Sequence, residues 1–258
     1  MSTEDDHGKL EGKALWEPSS ARKNSTNLFR YQQWLSRTRD LNFESYDDLW
    51  QWSVNEVSEF WRSIWDYFQI NSHNEYSDVL QYGPQGKRLE GAKWFLGAHL
   101  NYAEHALRFE GDRVAIIGIH ESGSKVEWTR SELLIKTSEI AAGLRDMGVR
   151  KGDSVVAYMP NIPEAVAAAL AVASIGAFWS SCPPEFGTRS VIDRFQQLNP
   201  KILLTVDGYQ YGGKSFSTNN AICQIQEELT SLASTVVLPY LDYGLQLDPE
   251  NWGDTKSM

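Results

Sequence analysis

Between residues 114 and 238 the chain alternates short apolar runs with helix-length segments, and this alternation restricts the fold more than any other feature of its 258 residues. Residues 114–120 form an apolar run, Glu121-Ser-Gly-Ser124 a turn, and residues 125–128 a second short run, which predicts a hairpin. Thr129 and Glu132 have capping-box spacing and open a helix running to Met147, with Gly148 placed just past its end. Residues 154–159 follow as a strand. Pro163 then takes the first-turn position of an alanine-rich helix that runs to about Ile175 and stops at Gly176. Residues 177–181, 202–206 and 235–238 read as strands, and residues 188–198 and 220–232 as helices. Strands separated by single helices are βαβ units, so the expected class is α/β, with a mostly parallel sheet covered by helices on both faces.

Upstream the pattern differs. Residues 1–12 are polar and acidic and are expected to fray, and residues 14–40 carry Trp16, Phe29, Tyr31 and Trp34 among polar residues. Ser45 can cap a long helix reaching Ile70, whose Leu49, Trp52, Val57, Phe60, Trp61, Ile64 and Phe68 recur near helical spacing and read as a core face. Its Trp52, Phe60 and Ile64 are expected against the sheet. A further helix is expected over residues 99–109. The division is therefore a helical, loop-rich extension over 1–90 and an α/β subdomain over 91–258.

Composition narrows the function. A formal net charge of −10 disfavours nonspecific nucleic-acid binding, which depends on Lys and Arg displacing counterions. Cys182 and Cys223 lie in no CxxC or Cys/His cluster, and the five histidines are scattered, so no metal site is expected. The longest apolar run, residues 165–173, is too short for a bilayer, which needs about 20 residues. The N-terminal stretch lacks the apolar centre of a secretory signal, so a cytoplasmic protein without membrane contact is expected.

Doubly wound sheets bind ligands beyond the C-terminal ends of their strands. No GxGxxG or GxSxG occurs. One glycine-rich segment, Gly208-Tyr-Gln-Tyr-Gly-Gly-Lys214, follows a strand and precedes a helix. Its glycines could admit an anion and Lys214 could supply a charge for a phosphate, or it is an ordinary turn with a solvated lysine.

Five further stretches, in order, resemble the adenylate-forming superfamily of acyl-CoA synthetases: Trp94-Phe-Leu-Gly-Ala-His-Leu-Asn101, Val126-Glu-Trp-Thr-Arg-Ser-Glu-Leu133, Gly148-Val-Arg-Lys-Gly-Asp-Ser-Val-Val156, Met159-Pro-Asn-Ile-Pro-Glu164 and Ser174-Ile-Gly-Ala177. Phe178-Trp-Ser-Ser-Cys-Pro-Pro-Glu-Phe-Gly187 and Ala14-Leu-Trp-Glu-Pro-Ser19 are similar to segments of the acetoacetyl-CoA synthetase branch. The resemblance implies a ligase that uses ATP, coenzyme A and Mg²⁺ and takes acetoacetate as its acid. An acetyl- or propionyl-type synthetase and a non-catalytic binding module are the alternatives.

The family's glycine- and hydroxyl-rich phosphate loop, its later adenine and metal motif, its ribose-binding aspartate and its lid lysine have no counterpart in these residues. The resemblance therefore implies a fragment, inactive alone, with no catalytic residue and no complete ATP site, whose missing C-terminal portion supplies both. It also implies coenzyme A contacts at Pro183, Pro184, Glu185, Gln210 and Lys214. Glu185 stands where the acetyl branch has glycine and Gln210 where it has arginine, while Lys214 keeps the charge.

Overall fold

The computed structural model describes residues 16–84, 86 and 89–241, and the backbone of residues 255–257. Residues 1–12, Ala14 and Leu15 of the early motif, and most of the polar tail lie outside the described residues. The chain forms two compact units, residues 1–98 and 99–258.

The first unit is helical, with α1 (Ser20–Asn24), α2 (Asn27–Arg39), α3 (Tyr46–Asn55) and α4 (Val57–Phe68), followed by a small antiparallel pair, β1 (Leu80–Gln81) and β2 (Lys93–Trp94). Ser45 caps α3 through a full capping box with Asp48. The long helix expected over 45–70 is two helices, because Glu56 takes φ −107° and ψ 54° and ends the first. In one continuous helix Trp52 and Phe60 would be separated by about 12 Å of rise. The break brings their rings edge to face at 5.8 Å. Trp52, Phe60 and Ile64 close on Tyr31, Leu35 and Leu49 within this unit.

The second unit opens with α5 (Tyr102–Ala106), shorter than the helix expected over 99–109. Asn101 accounts for its placement. Its Oδ1 accepts from Ala103 N–H and Glu104 N–H, and its Nδ2 donates to Ala173 and Ser174 carbonyls, so one side chain caps a helix and ties it to another. The hairpin β3 (Val114–Ile119) and β4 (Lys125–Thr129) leads into α6 (Arg130–Asp146), which starts at the expected Thr129–Glu132 capping box.

The remaining elements are β5 (Ser154–Tyr158), α7 (Pro163–Ile175), β6 (Phe178–Cys182), α8 (Thr188–Phe195), β7 (Ile202–Val206), β8 (Gly208–Tyr211), β9 (Lys214–Ser217), α9 (Asn219–Glu228), β10 (Ser234–Leu238) and β11 (Thr255–Ser257). They build a parallel five-stranded sheet in the order β11-β10-β7-β5-β6. Alternate residues of β5, β7 and β10 serve opposite cores. Val155, Ala157, Leu204 and Val236 pack under α6 and α7, whereas Val156, Tyr158, Leu203 and Val237 pack under α8 and α9. β5 and β7 are buried along their whole length, as central parallel strands require. The expected α/β class with helices on both faces is what forms.

Candidate functional site

The sheet's C-terminal edge carries two structures beyond its strands: the turn after β6 and the β8–β9 hairpin after β7. After Cys182, Phe186 N–H donates to Pro183 O at 3.1 Å and closes a turn over residues 183–186. Pro184 is buried, whereas Pro183 and Glu185 are exposed. The Arg194 guanidinium lies over the Phe186 ring, 5.3 Å from its centroid, and steadies the far end of the turn.

The glycine-rich segment is an antiparallel hairpin rather than a loop. Gly208 pairs with Ser217, Tyr209 with Phe216, Gln210 with Ser215 and Tyr211 with Lys214. Gly212 and Gly213 form the two-residue tip with φ of +60° and +71°, as a type I′ turn requires. Gly212 N–H donates to Glu121 Oε1 at 2.7 Å, which anchors the tip to the β3–β4 turn. The hairpin's base is closed where Thr218 N–H donates to Asp207 O at 3.2 Å and the Thr218 hydroxyl to Val206 O.

By its letters, the stretch from Gly208 to Ser215 also fits the phosphate-loop pattern G-x₄-G-K-S. That pattern holds phosphate only when the loop joins a strand to a helix and its N–H groups ring the anion. Here the backbone is spent on a ladder, so the match carries no phosphate cradle.

Register sorts the candidate residues. Cross-strand partners share a face and neighbours alternate, so Tyr209, Tyr211, Lys214 and Phe216 lie on one side of the hairpin and Gln210 and Ser215 on the other. Tyr209 stacks on Phe216 at 5.3 Å. Burial, and then the Glu185 carboxylate, raise the Tyr209 phenol above its ordinary range. The fold thus sets the 183–186 turn and the hairpin at the same edge of the sheet, and puts Lys214 and Gln210 on opposite faces of the hairpin. Lys214 is exposed, and among the described residues no carboxylate pairs with it.

Two tyrosines at this edge were not among the expected site residues. Tyr209 lay inside the glycine-rich segment. Tyr158 lay in what reads as an apolar strand, and its sequence signal was a polar-tipped side chain ending a buried parallel strand. A cavity of about 630 Å³ sits on the other face of the sheet, lined by Trp128, Ile140, Met147, Met159, Leu204 and Leu238. It is separate from the turn and hairpin.

Among the described residues no group of three or more His, Cys, Asp or Glu side chains gathers as a metal site. No helix among them is long and apolar enough to cross a membrane.

Against known proteins, residues 102–255 match the model of the AMP-binding enzyme family, and residues 46–106 that of the acetyl-coenzyme A synthetase N-terminus. The chain is 39% identical over 254 residues to acetoacetyl-CoA synthetase of Macaca fascicularis, covering 96% of this chain and 37% of that protein. It is 34% identical to acetoacetyl-coenzyme A synthetase of Rhizobium meliloti (strain 1021), covering 91% of this chain and 35% of that one. The solved acetoacetyl-CoA synthetase from Streptomyces lividans superimposes with a TM-score of 0.86 at 38% identity, over 95% of this chain and 37% of the other. The chain thus spans little more than a third of the length of these relatives. With the family model matched across most of the second unit, this chain belongs to the AMP-binding enzyme family.

Proposed function

We propose that this chain is the N-terminal part of an AMP-forming acid–thiol ligase that makes acetoacetyl-CoA from acetoacetate, ATP and coenzyme A in the cytoplasm. The observation that carries the reading is its likeness, across more than nine-tenths of its length, to proteins named acetoacetyl-CoA synthetase. In the first half-reaction a carboxylate oxygen attacks the α-phosphorus of ATP, forming an acyl-adenylate and releasing pyrophosphate. In the second, the thiol sulfur of coenzyme A attacks the acyl carbon, the thiol proton is lost, and AMP departs. Adenylation converts a poor leaving group into a good one, and the protein's part is positioning and charge stabilisation. This chain's share of the work is at the second substrate. Lys214, on the hairpin face that also carries Tyr209 and Phe216, meets a phosphate of coenzyme A as a point charge, and Pro183, Pro184 and Glu185 form the neighbouring wall.

The test is Lys214→Ala in the full-length enzyme. The KM for coenzyme A should rise, more at low salt than at high salt, while acetoacetate-dependent pyrophosphate exchange changes little. Equal losses in both half-reactions would show that Lys214 supports the fold or the adenylate site. The match of residues 46–106 to the acetyl-coenzyme A synthetase N-terminus favours a second reading, an acetyl-type short-chain ligase. Comparing acetate, propionate and acetoacetate in the exchange assay separates the two.

A further inference from the structure

Strand β5 ends on a tyrosine whose ring is buried among Cys182, Val191, Ile192 and Phe195 of the α8–α9 core. Only its oxygen reaches the sheet edge, where the O–H donates to Pro184 O at 2.7 Å. Burial, followed by the neighbouring Tyr209, Glu185 and Cys182, pushes this phenol up to about 12, so it stays protonated and a donor at any physiological pH.

That bond sets the direction of one peptide unit. Pro183 and Pro184 have no N–H, so Glu185 supplies the first backbone donor after Cys182. In a trans peptide the C=O and the following N–H point in opposite directions, and no cis bond occurs among the described residues. With Pro184 O drawn toward Tyr158, the Glu185 N–H is turned outward, and it has no acceptor among the described residues. The Phe186 N–H, by contrast, is already committed to Pro183 O.

We propose that Tyr158 is a positioning residue. Through Pro184 O it locks the turn so that the Glu185 N–H is presented as a donor to an acceptor oxygen of coenzyme A, on either a pantetheine amide or a phosphate. The proposal rests on the coenzyme A reading of this edge and adds to it a residue that touches no ligand.

The experiment uses the full-length enzyme carrying Tyr158→Phe, which removes one oxygen and keeps the ring. The KM for coenzyme A should rise about threefold to tenfold, the range expected from losing one hydrogen bond, with kcat at saturating coenzyme A within about twofold. Thr205→Val is the control. The Thr205 hydroxyl donates to the Tyr158 carbonyl at 2.8 Å in the same core without touching the phenol, so its KM should stay within about twofold of wild type. An equal rise in both variants overturns the proposal, because core damage alone would then account for it.

If Lys214→Ala raises the KM and Tyr158→Phe does not, the positioning role is wrong and the coenzyme A reading survives. If neither moves it, the reading itself fails. Amide hydrogen exchange on the wild-type enzyme decides the matter even should Tyr158→Phe not fold. Coenzyme A should slow exchange at Glu185, and unchanged exchange would sink the idea. Slowing by pantetheine as well assigns the acceptor to an amide carbonyl, and slowing by coenzyme A alone assigns it to a phosphate.

Discussion

A Cβ on Gly118 would stand 2.8 Å from Cγ and 3.0 Å from Cδ of Pro163, so the backbone of β3 lies directly on the first turn of α7. Gly118 has no positive φ, so its backbone suits any residue and the constraint is steric alone. Gly118→Ala should cost about 1–3 kcal/mol, because a proline ring cannot rotate out of the way. Combining it with Pro163→Ala should recover part of that loss in equilibrium denaturation. Strict additivity of the two changes would show that they do not press on each other.

A second prediction concerns acid. Asp153 Oδ2 accepts from Arg150 N–H at 2.8 Å and from Lys201 Nζ at 3.1 Å, and Lys201 also donates to Gly148 O at 2.7 Å. The Arg150 amide first, then Lys201, hold the Asp153 carboxyl below the usual range. Both side chains of the ion pair are about a third exposed, so solvent weakens its share. A depressed folded-state pKa stabilises the protein above the unfolded value of about 4, and that contribution declines from there and is lost as pH falls through the lower folded-state value. Asp153→Asn should therefore lower the urea midpoint more at pH 6 than at pH 3. Equal losses at both pH values would count against this account.

The hairpin tip offers a third. Nothing lies within 4 Å of a Cβ on Gly212 or Gly213, so any cost of substitution there is conformational. Alanine at either position should cost about 1 kcal/mol in the left-handed region. Asparagine, which tolerates that region, should cost less. Thermal melts of the four single variants check this, and equal effects of Asn and Ala would refute the positive-φ argument.

The fourth concerns the 258-residue chain alone. It should not form AMP from ATP and acetoacetate, because phosphate positioning and charge neutralisation supply most of the rate in such transfers, and its Gly208–Ser215 stretch is a hairpin rather than a phosphate cradle. Steady turnover by the purified chain, followed as pyrophosphate release, would overturn the proposed division of labour.

Local chemistry made much of this molecule legible from its sequence. The Thr129–Glu132 capping box, Pro163 at a helix start and Gly176 at its end act over three or four residues, and each appears where the sequence puts it. The mostly apolar runs at β5 and β7 likewise pointed to a sheet covered on both faces. The break at Glu56 carried no such signal, since neither glycine nor proline stands there. It is set by which rings Trp52 and Phe60 find in the folded unit.

The site was decided at the same tertiary level. Tyr158 and Pro184 are 26 residues apart, and Glu121 and Gly212 are 91 apart, so no spacing in the chain announces either bond. Gln210 and Lys214 look equivalent on one glycine-rich segment, and only the hairpin's cross-strand register puts them on opposite faces. Sequence determined the elements, because caps, turns and hydrophobic period are short-range. Tertiary structure alone decided which side chains meet beyond the sheet edge, because strand order and register bring together residues that the chain keeps far apart.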